Sequence, residues 1–376
     1  MLSLLYNNIA LLIIFIITLK INSKYFKLDT LLFNSFLFYH GLFTLIYLFV
    51  FNGKTADYYT YLYLVGMPYP HDYIDPYSFL SSNFVYQIIN LFKILLLNDF
   101  NIIVIFSLIS FFGIIIFIQN LIKLGMEKKF AYIMFFIPGI HFWTGILGKD
   151  NLIFFFLSCF FYFYINKKFF YSIIFIILVF MIRPHIGSMF LISIIITEFF
   201  LIKGLKKYIF VFSSLSFLIL IFNLPFINNL FLNSSQLLTD NLIIKIFHEL
   251  SNISQKFLLS SSYYEPSSIY VNMFNYIVFP LPFILSDKSF VTNLFILMEF
   301  LTLIFVITLI IKNKKSFEID KRVIYFLSIC VLVYLMIMPQ IFFNFGLNSR
   351  QKWMIIPFII YFFVLLKNLF VKTKKM

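Results

Sequence analysis

Charged residues are scarce in this chain, and cysteine is almost absent. Of the 376 residues, 12% are charged and 62% are hydrophobic, whereas a soluble domain has about 25% charged and about 45–50% apolar residues. A soluble chain of this length could not bury so much apolar surface. The composition therefore excludes an ordinary soluble enzyme, a disordered tail and a nucleic-acid-binding protein, and it predicts a membrane protein.

Several motifs that carry chemistry are also missing. The two cysteines, Cys159 and Cys330, lie in apolar runs without a CxxC pattern or a neighbouring histidine, which is typical of buried small side chains. The sequence contains no P-loop, no GxGxxG, no HExxH and no cluster of Cys and His. ATP-driven transport and zinc hydrolysis are therefore not supported, and we expect neither a cofactor nor a metal.

Long apolar runs fill most of the chain. A spanning helix needs about 20 apolar residues, and scanning for such runs predicts about eleven spans. They cover 2–19, 29–51, 101–124, 130–147, 151–166, 169–183, 186–202, 207–226, 290–312, 322–344 and 352–371. We find no internal repeat and no linker. The predicted fold is all-α, a polytopic transmembrane helix bundle that forms a single integral membrane domain over 1–376.

The basic residues predict the orientation of the spans. Most of the 29 Lys and Arg residues fall in one set of short loops, which should be cytoplasmic by the positive-inside rule. Eleven spans then place the N-terminus outside and the C-terminus inside. Two long outer loops are predicted, at about 52–98 and 227–289. Each is expected to carry an amphipathic helix, at 83–98 and at 236–258.

The first outer loop contains a carboxylate among aromatic residues. Asp57 follows the second span and is adjacent to Tyr58 within ADYYTYLY. A carboxylate at this depth can act as a general base toward a hydroxyl. It can also bind sugar hydroxyls while tyrosine rings stack on sugar faces. The alternative is a Tyr-rich interfacial belt with a solvated acidic loop.

The segment FWTGILGKDN, residues 142–151, predicts a phosphate-binding turn. Gly145 and Gly148 break the helix, and Asp150 is expected to cap the next one, beginning at Asn151. Lys149 would then lie near a positive helix end, which suits an anion. The alternative is a capped hairpin turn with a snorkelling lysine.

The most informative segment is MIRPHIG, residues 181–187. Arg183 and His185 flank Pro184 between two apolar runs, and an arginine at membrane depth normally faces a partner or a cavity. Its planar fork suits two phosphate oxygens, and His185 can donate to phosphate or carry a proton. The alternative is a short outer turn. Arg350, followed by Lys352, is a second arginine predicted to lie on the outer side.

The second outer loop and the intramembrane acids add weaker candidates. Glu265, in YYE, is a candidate polar contact to substrate. The helix predicted at 236–258 is expected to lie over the site. Glu198 and Glu299 lie within or near spans, which raises proton coupling as a hypothesis. Because Glu198 is near the predicted cytoplasmic end, snorkelling or pairing with a lysine is favoured there.

Together these motifs resemble bacterial O-antigen and capsular polysaccharide polymerases, including the EpsG-like branch. The likeness rests on the outer aspartate in ADYYTYLY, G-K-D at a helix start, R-P-H after the next hairpin, and the late arginine in NSRQKW. It implies linkage of repeat units carried on undecaprenyl pyrophosphate, at the outer face of the bacterial inner membrane. Carried over, Arg183, His185 and Arg350 match positions expected to hold the pyrophosphate or activate the acceptor.

The resemblance and the residue types lead to the same working hypothesis. Lys149, Asp150, Arg183, Arg350, Lys352, Tyr58 and Glu265 are expected to bind substrate, and Asp57 or His185 to act as the catalytic base. The expected partners are the lipid-linked oligosaccharide, membrane lipids, a flippase and a chain-length regulator. Two other functions stay open. One is a glycosyltransferase of the GT-C kind using a polyprenyl-phosphate sugar, and the other is a flippase or transporter for lipid-linked oligosaccharide.

Overall fold

The computed structural model describes residues 2–50, 61–62, 82–95, 97–202, 204, 290–313, 320–340 and 345–373. The α-helices in these residues are α1 (Leu2–Ile21), α2 (Thr30–Val50), α3 (Ser82–Ile94), α4 (Asp99–Lys123), α5 (Lys128–Met134), α6 (Pro138–Thr144), α7 (Lys149–Ile165), α8 (Phe169–Ile182), α9 (Pro184–Leu201), α10 (Phe290–Lys312), α11 (Lys321–Ile337) and α12 (Phe345–Thr373). A π-helical turn follows α1 at Asn22–Phe26, and a 3-10 turn follows α11 at Met338–Gln340. Every regular element in the described chain is helical, which confirms the all-α prediction.

Several of these helices are apolar and long enough to cross a membrane. In the described residues these are Asn8–Phe26, Thr30–Phe49, Asp99–Lys123 and Pro184–Leu201. The pair α6 and α7, bent by 120° at the break between them, gives a fifth if it is taken as one broken span. The chain is therefore an all-helical protein with four or five candidate membrane-spanning helices in its described part.

The structure differs from the predicted span at 130–147, where a continuous helix was expected and is not found. Two seven-residue helices, α5 and α6, occupy this region instead. Each is only about 10 Å long, too short to cross a bilayer. Pro138 explains the break: it starts α6, and a residue before proline favours extended backbone, as found at Ile137.

Other predicted segments fall on described helices or outside them. The amphipathic helix predicted at 83–98 corresponds to α3, whereas its position at a membrane interface stays a prediction. The predicted span at 207–226, the loop at 227–289 and its helix at 236–258 lie outside the described residues, as does most of the loop at 52–98. The count of eleven spans likewise stays a prediction.

The described chain divides into two compact units. The first unit comprises residues 1–188, 297–318 and 363–376, and the second comprises 189–296 and 319–362. This division does not test the prediction of a single membrane domain, which stays a prediction.

Close packing of α4 on α7 forms the centre of the first unit. Gly113 permits the approach, because a Cβ added there would lie 2.8 Å from the Cα of Phe155. Asn120 donates a side-chain hydrogen bond to the carbonyl of Ser158 at 3.1 Å. The close contact at Gly113 and the hydrogen bond from the side-chain amide of Asn120 thus fix the register between these two helices. They also fix the position of the amino end of α7.

Candidate functional site at the amino ends of two helices

The predicted segment MIRPHIG forms a break between α8 and α9. Arg183 has extended backbone, with φ −138° and ψ 90°, as expected for a residue that precedes proline. Its N–H donates to the carbonyl of Val179 at 2.8 Å, and its carbonyl accepts from Ile186 and Gly187, each at 3.0 Å. Both backbone groups of Arg183 are therefore hydrogen bonded at the break, as apolar surroundings require.

Gly187 lets the start of α9 fold back against α8. A Cβ at this position would lie 2.4 Å from the Cα of Phe180, closer than real side chains approach. No other residue type fits there without displacing backbone. The tight return holds Arg183 at the corner between the two helices.

Arg183 forms a buried ion pair with Asp150. Its Nη2 lies 2.5 Å from Oδ1 of Asp150, and the two side chains are 10% and 6% exposed. This hydrogen bond uses one guanidinium nitrogen, so the pair is not bidentate. Charges buried to this degree must be paired, since an isolated one would cost several kcal/mol.

Two further predicted residues belong to the same cluster. Lys149 is the first residue of α7, and both Lys149 and Arg183 lie within electrostatic reach of His185. The amino end of a helix adds about half a positive charge. We define the basic cluster as Lys149, Asp150, Arg183 and His185; with His185 neutral its formal charge is positive.

Asn151 adds a buried donor next to the basic cluster. Its side chain is fully buried, and its Oδ1 accepts from the N–H of Leu152 at 2.7 Å. Its Nδ2 has no hydrogen-bond partner among the described residues. A buried amide donor without an acceptor is costly, so an oxygen-rich ligand at this helix end would satisfy it.

One prediction about this segment is wrong. Asp150 was expected to cap the helix at Asn151, but the helix begins at Lys149, its N-cap is Gly148, and no side chain caps it. The Asp150 carboxylate is directed to Arg183 instead. Pairing with Asp150 spares Arg183 the cost of a buried charge without a counter-charge, which explains the choice.

The remaining predicted site residues are not brought into the cluster by the described structure. Asp57, Tyr58 and Glu265 lie outside the described residues. Arg350 and Lys352 lie on α12 in the second unit, where Lys352 is 8% exposed. The structure does not describe the side chain of Arg350. Their convergence with the basic cluster therefore stays a prediction.

Sequence reasoning missed a pair of buried histidines in the first unit. His40 on α2 and His141 on α6 face each other, with 2.8 Å between their Nδ1 atoms. They are 1% and 0% exposed. A signal was present, because an ionisable residue in an apolar run is a functional candidate by default. Neither histidine belongs to a motif, and they are far apart in the sequence.

In the second unit, Glu198 pairs with Arg322, the remaining arginine of the chain. Nε of Arg322 lies 3.0 Å from Oε1 of Glu198, and Nη2 donates to Oε2 at 3.1 Å. Two guanidinium nitrogens of Arg322 thus lie near both carboxylate oxygens, an arrangement that the single ammonium of a lysine cannot make. Glu198 was expected to snorkel or to pair with a lysine, and its partner is an arginine, Arg322, instead.

No protein-family model, curated protein or solved structure in the comparisons matches this chain. The function must therefore be argued from the chemistry of the site.

Proposed function

We propose that this protein is a membrane glycosyltransferase that polymerises glycan repeat units, transferring an undecaprenyl-pyrophosphate-linked glycan to a lipid-linked acceptor. The carrying observation is the basic cluster: a buried arginine, a lysine and a histidine at the amino end of α7, between apolar helices. The residue patterns that resemble O-antigen polymerases support the same proposal.

The basic cluster has the chemistry that a pyrophosphate leaving group requires. One nitrogen of Arg183 donates to Asp150, which orients the guanidinium. The other donors of Arg183 remain for phosphate oxygens. Lys149 supplies a second positive charge, and Asn151 a buried donor. Fixed cations and oriented dipoles stabilise charge that develops in a transition state, and they cost no reorganisation at that moment.

The proposed reaction is a substitution at the anomeric carbon of the donor glycan. A hydroxyl oxygen of the acceptor sugar bonds to C1, the bond from C1 to the pyrophosphate oxygen breaks, and undecaprenyl pyrophosphate leaves. A base takes the hydroxyl proton. Of the two proposed bases, His185 is the one that belongs to the basic cluster, whereas Asp57 lies outside the described residues.

The finer topology belongs to this proposal as well. Eleven spans, an outer N-terminus, a cytoplasmic C-terminus and residence in the bacterial inner membrane would put the cluster at the outer face, where flipped lipid-linked glycan arrives. Accessibility of single cysteines to a membrane-impermeant maleimide tests this. A cysteine at Lys168 should be protected in intact spheroplasts, and one at Tyr58 should be labelled; the opposite pattern would reverse the orientation.

Binding of the lipid carrier tests the cluster directly. Purified full-length protein in nanodiscs should bind undecaprenyl pyrophosphate more tightly than undecaprenyl monophosphate. Lys149→Gln should weaken pyrophosphate binding by about tenfold or more, because a hydrogen bond to a charged group contributes about 1.5–3 kcal/mol. The matched control is Lys168→Gln, the same charge change at an exposed lysine. Equal effects of the two substitutions would contradict the assignment.

Cell phenotype separates the proposed function from its alternatives. Loss of a repeat-unit polymerase leaves single repeat units on the surface, whereas loss of a flippase leaves none. Loss of activity on adding a chelator would favour the enzyme that uses a polyprenyl-phosphate sugar. Arg183→Gln should give the single-unit phenotype, and Arg322→Gln, an arginine outside the cluster, should retain long polymer if the protein is still made.

A further inference from the structure

The buried histidine pair is held by acceptors on both of its outer sides. Nε2 of His141 lies against the carbonyl oxygen of Phe135. Nε2 of His40 lies 3.0 Å from the carbonyl oxygen of Ser107 and 3.1 Å from Oγ of Ser110. A carbonyl oxygen can only accept. His141 must therefore carry its proton on Nε2, which leaves its Nδ1 as a bare acceptor toward His40.

Counting protons then gives two allowed states. Because Nδ1 of His141 is bare, Nδ1 of His40 must carry a proton to make the 2.8 Å bond. In the neutral state Nε2 of His40 is bare, so it accepts from the hydroxyl of Ser110 but opposes the carbonyl of Ser107. With one added proton on Nε2, His40 donates to Ser107, and Ser110 donates to that same carbonyl, 2.8 Å from its Oγ.

Both states are hydrogen bonded without moving a heavy atom. The hydroxyl of Ser110 turns from Nε2 of His40 to the carbonyl of Ser107. A hydroxyl rotates more easily than a buried ring. Loading also replaces the contact of two lone pairs, on Nε2 of His40 and on the Ser107 oxygen, with a hydrogen bond. The site is therefore organised to gain and lose one proton.

A positive charge on this pair would be buried without a counter-charge, which is costly, and the aromatic rings around His141 offset part of that cost. The ring of His141 is enclosed by Phe135, Tyr39 and Phe43, with ring centroids 4.8, 4.9 and 5.6 Å away. Aromatic faces attract a cation. Tyr39 is titratable, and its hydroxyl donates to the carbonyl of Phe136. No carboxylate among the described residues pairs with either imidazole.

An apolar groove adjoins this pair on the side of His40. It has a volume of about 370 Å³ and lies between α1, α2 and α4. Its walls are apolar, and His40, Thr44 and Ser107 are among its polar lining residues. His40 thus lines the groove, whereas His141 does not.

We propose that His40 and His141 form a proton-loading site, which takes up one proton at Nε2 of His40 and shares the resulting charge across the bond between the two rings. The proton comes from water, and the site changes from neutral to a single positive charge. This inference does not depend on the proposed glycosyltransferase function.

The site is connected to the break that precedes α7. His141 lies on α6, and its carbonyl accepts from the N–H of Gly145 at 2.7 Å. The hydroxyl of Thr44 donates to the carbonyl of Gly145 and bonds to Oγ of Ser107, each at 2.8 Å. A charge gained by the pair therefore acts on the segment that leads into the amino end of α7.

Nitrogen NMR tests the proposal on the full chain. Protein labelled with ¹⁵N in its 5 histidines, in lipid nanodiscs, should show coupling through a hydrogen bond between the two Nδ1 nuclei. Because burial disfavours the charged form, Nε2 of His40 should change from bare to protonated below the usual histidine range, between about pH 6 and about pH 3. Nε2 of His141 should stay protonated throughout. His141→Gln should abolish the coupling.

A serine variant separates proton loading from a structural role, and it avoids removing either ring. Ser110→Ala leaves Nε2 of neutral His40 without a donor, whereas in the loaded state the Ser107 carbonyl still accepts from His40. The substitution should therefore raise proton affinity, by at most about fivefold, or about 0.7 pH unit in the midpoint. Ser193→Ala, another buried serine that bonds to a helical carbonyl, should leave the midpoint unchanged. Equal shifts in both variants, or an Nε2 of His40 that never changes state, would overturn the proposal.

Discussion

The buried pair of Arg183 and Asp150 makes a strong prediction about stability. Asp150→Asn or Arg183→Met removes one charge and leaves the other buried without its counter-charge. Each single substitution should therefore destabilise the protein more than its own lost contact would suggest. The double substitution leaves no stranded charge, so it should cost less than the sum of the two single changes.

The magnitude follows from the geometry. With N and O 2.5 Å apart, the charge centres are about 4 Å apart, and the gross attraction is about 4 kcal/mol at an effective dielectric constant of about 20. Desolvation of both ions offsets most of that gain. Removal of one partner should cost about 3–5 kcal/mol, and the coupling between the two sites should be about 1–3 kcal/mol.

A double-mutant cycle measures this coupling as a free energy of unfolding, by reversible titration with SDS in mixed micelles. The control cycle uses Glu198→Gln and Arg322→Met. That pair is more exposed, at 14% and 29% for Glu198 and Arg322, so its coupling should be about 1 kcal/mol or less. Additivity within about 0.5 kcal/mol for Arg183 and Asp150 would refute the argument that the pair is buried and mutually dependent.

Three further substitutions test the packing of the first unit through the melting temperature in one detergent. Gly187→Ala should lower the melting temperature, because its Cβ would overlap the backbone of Phe180, at a cost of about 1–3 kcal/mol. Gly41→Ala, where nothing lies within 4 Å of the added Cβ, should raise it, since alanine favours helix by about 1 kcal/mol; the reverse order would contradict the steric argument. Asn313→Ala should cost about 1–3 kcal/mol, because its buried side chain donates to the carbonyl of Gly125 and accepts from Glu127. An unchanged melting temperature would show that those bonds contribute nothing.

Local sequence features predicted the helices well where a single segment decides its own structure. The apolar runs at 2–19, 29–51 and 101–124 became α1, α2 and α4 with shifts of a few residues at their ends. Pro184 correctly indicated the break between α8 and α9. The run at 130–147 failed because hydropathy alone does not register the break before Pro138, which divides the run into two short helices.

The candidate site was predicted in part, for the same reason. Lys149, Arg183 and His185 stood out because basic residues in apolar surroundings are costly and must be satisfied. Their actual relation was not predictable from the segment around each one. Asp150 was assigned to its nearest helix end, whereas its carboxylate pairs with a residue 33 positions further along the chain.

The sequence by itself predicted apolar helices long enough to cross a membrane, because the free energy of transfer from water depends on composition and on the length of each apolar run. It also located the few polar residues that such a chain retains between apolar helices. Only the tertiary structure decided which of them meet. His40 and His141 are 101 residues apart in the chain, and they face each other because α2, α4 and α6 pack together. Hydrogen bonds between side chains require atoms to meet within about 3 Å, and that proximity is a property of the packed helices rather than of any segment.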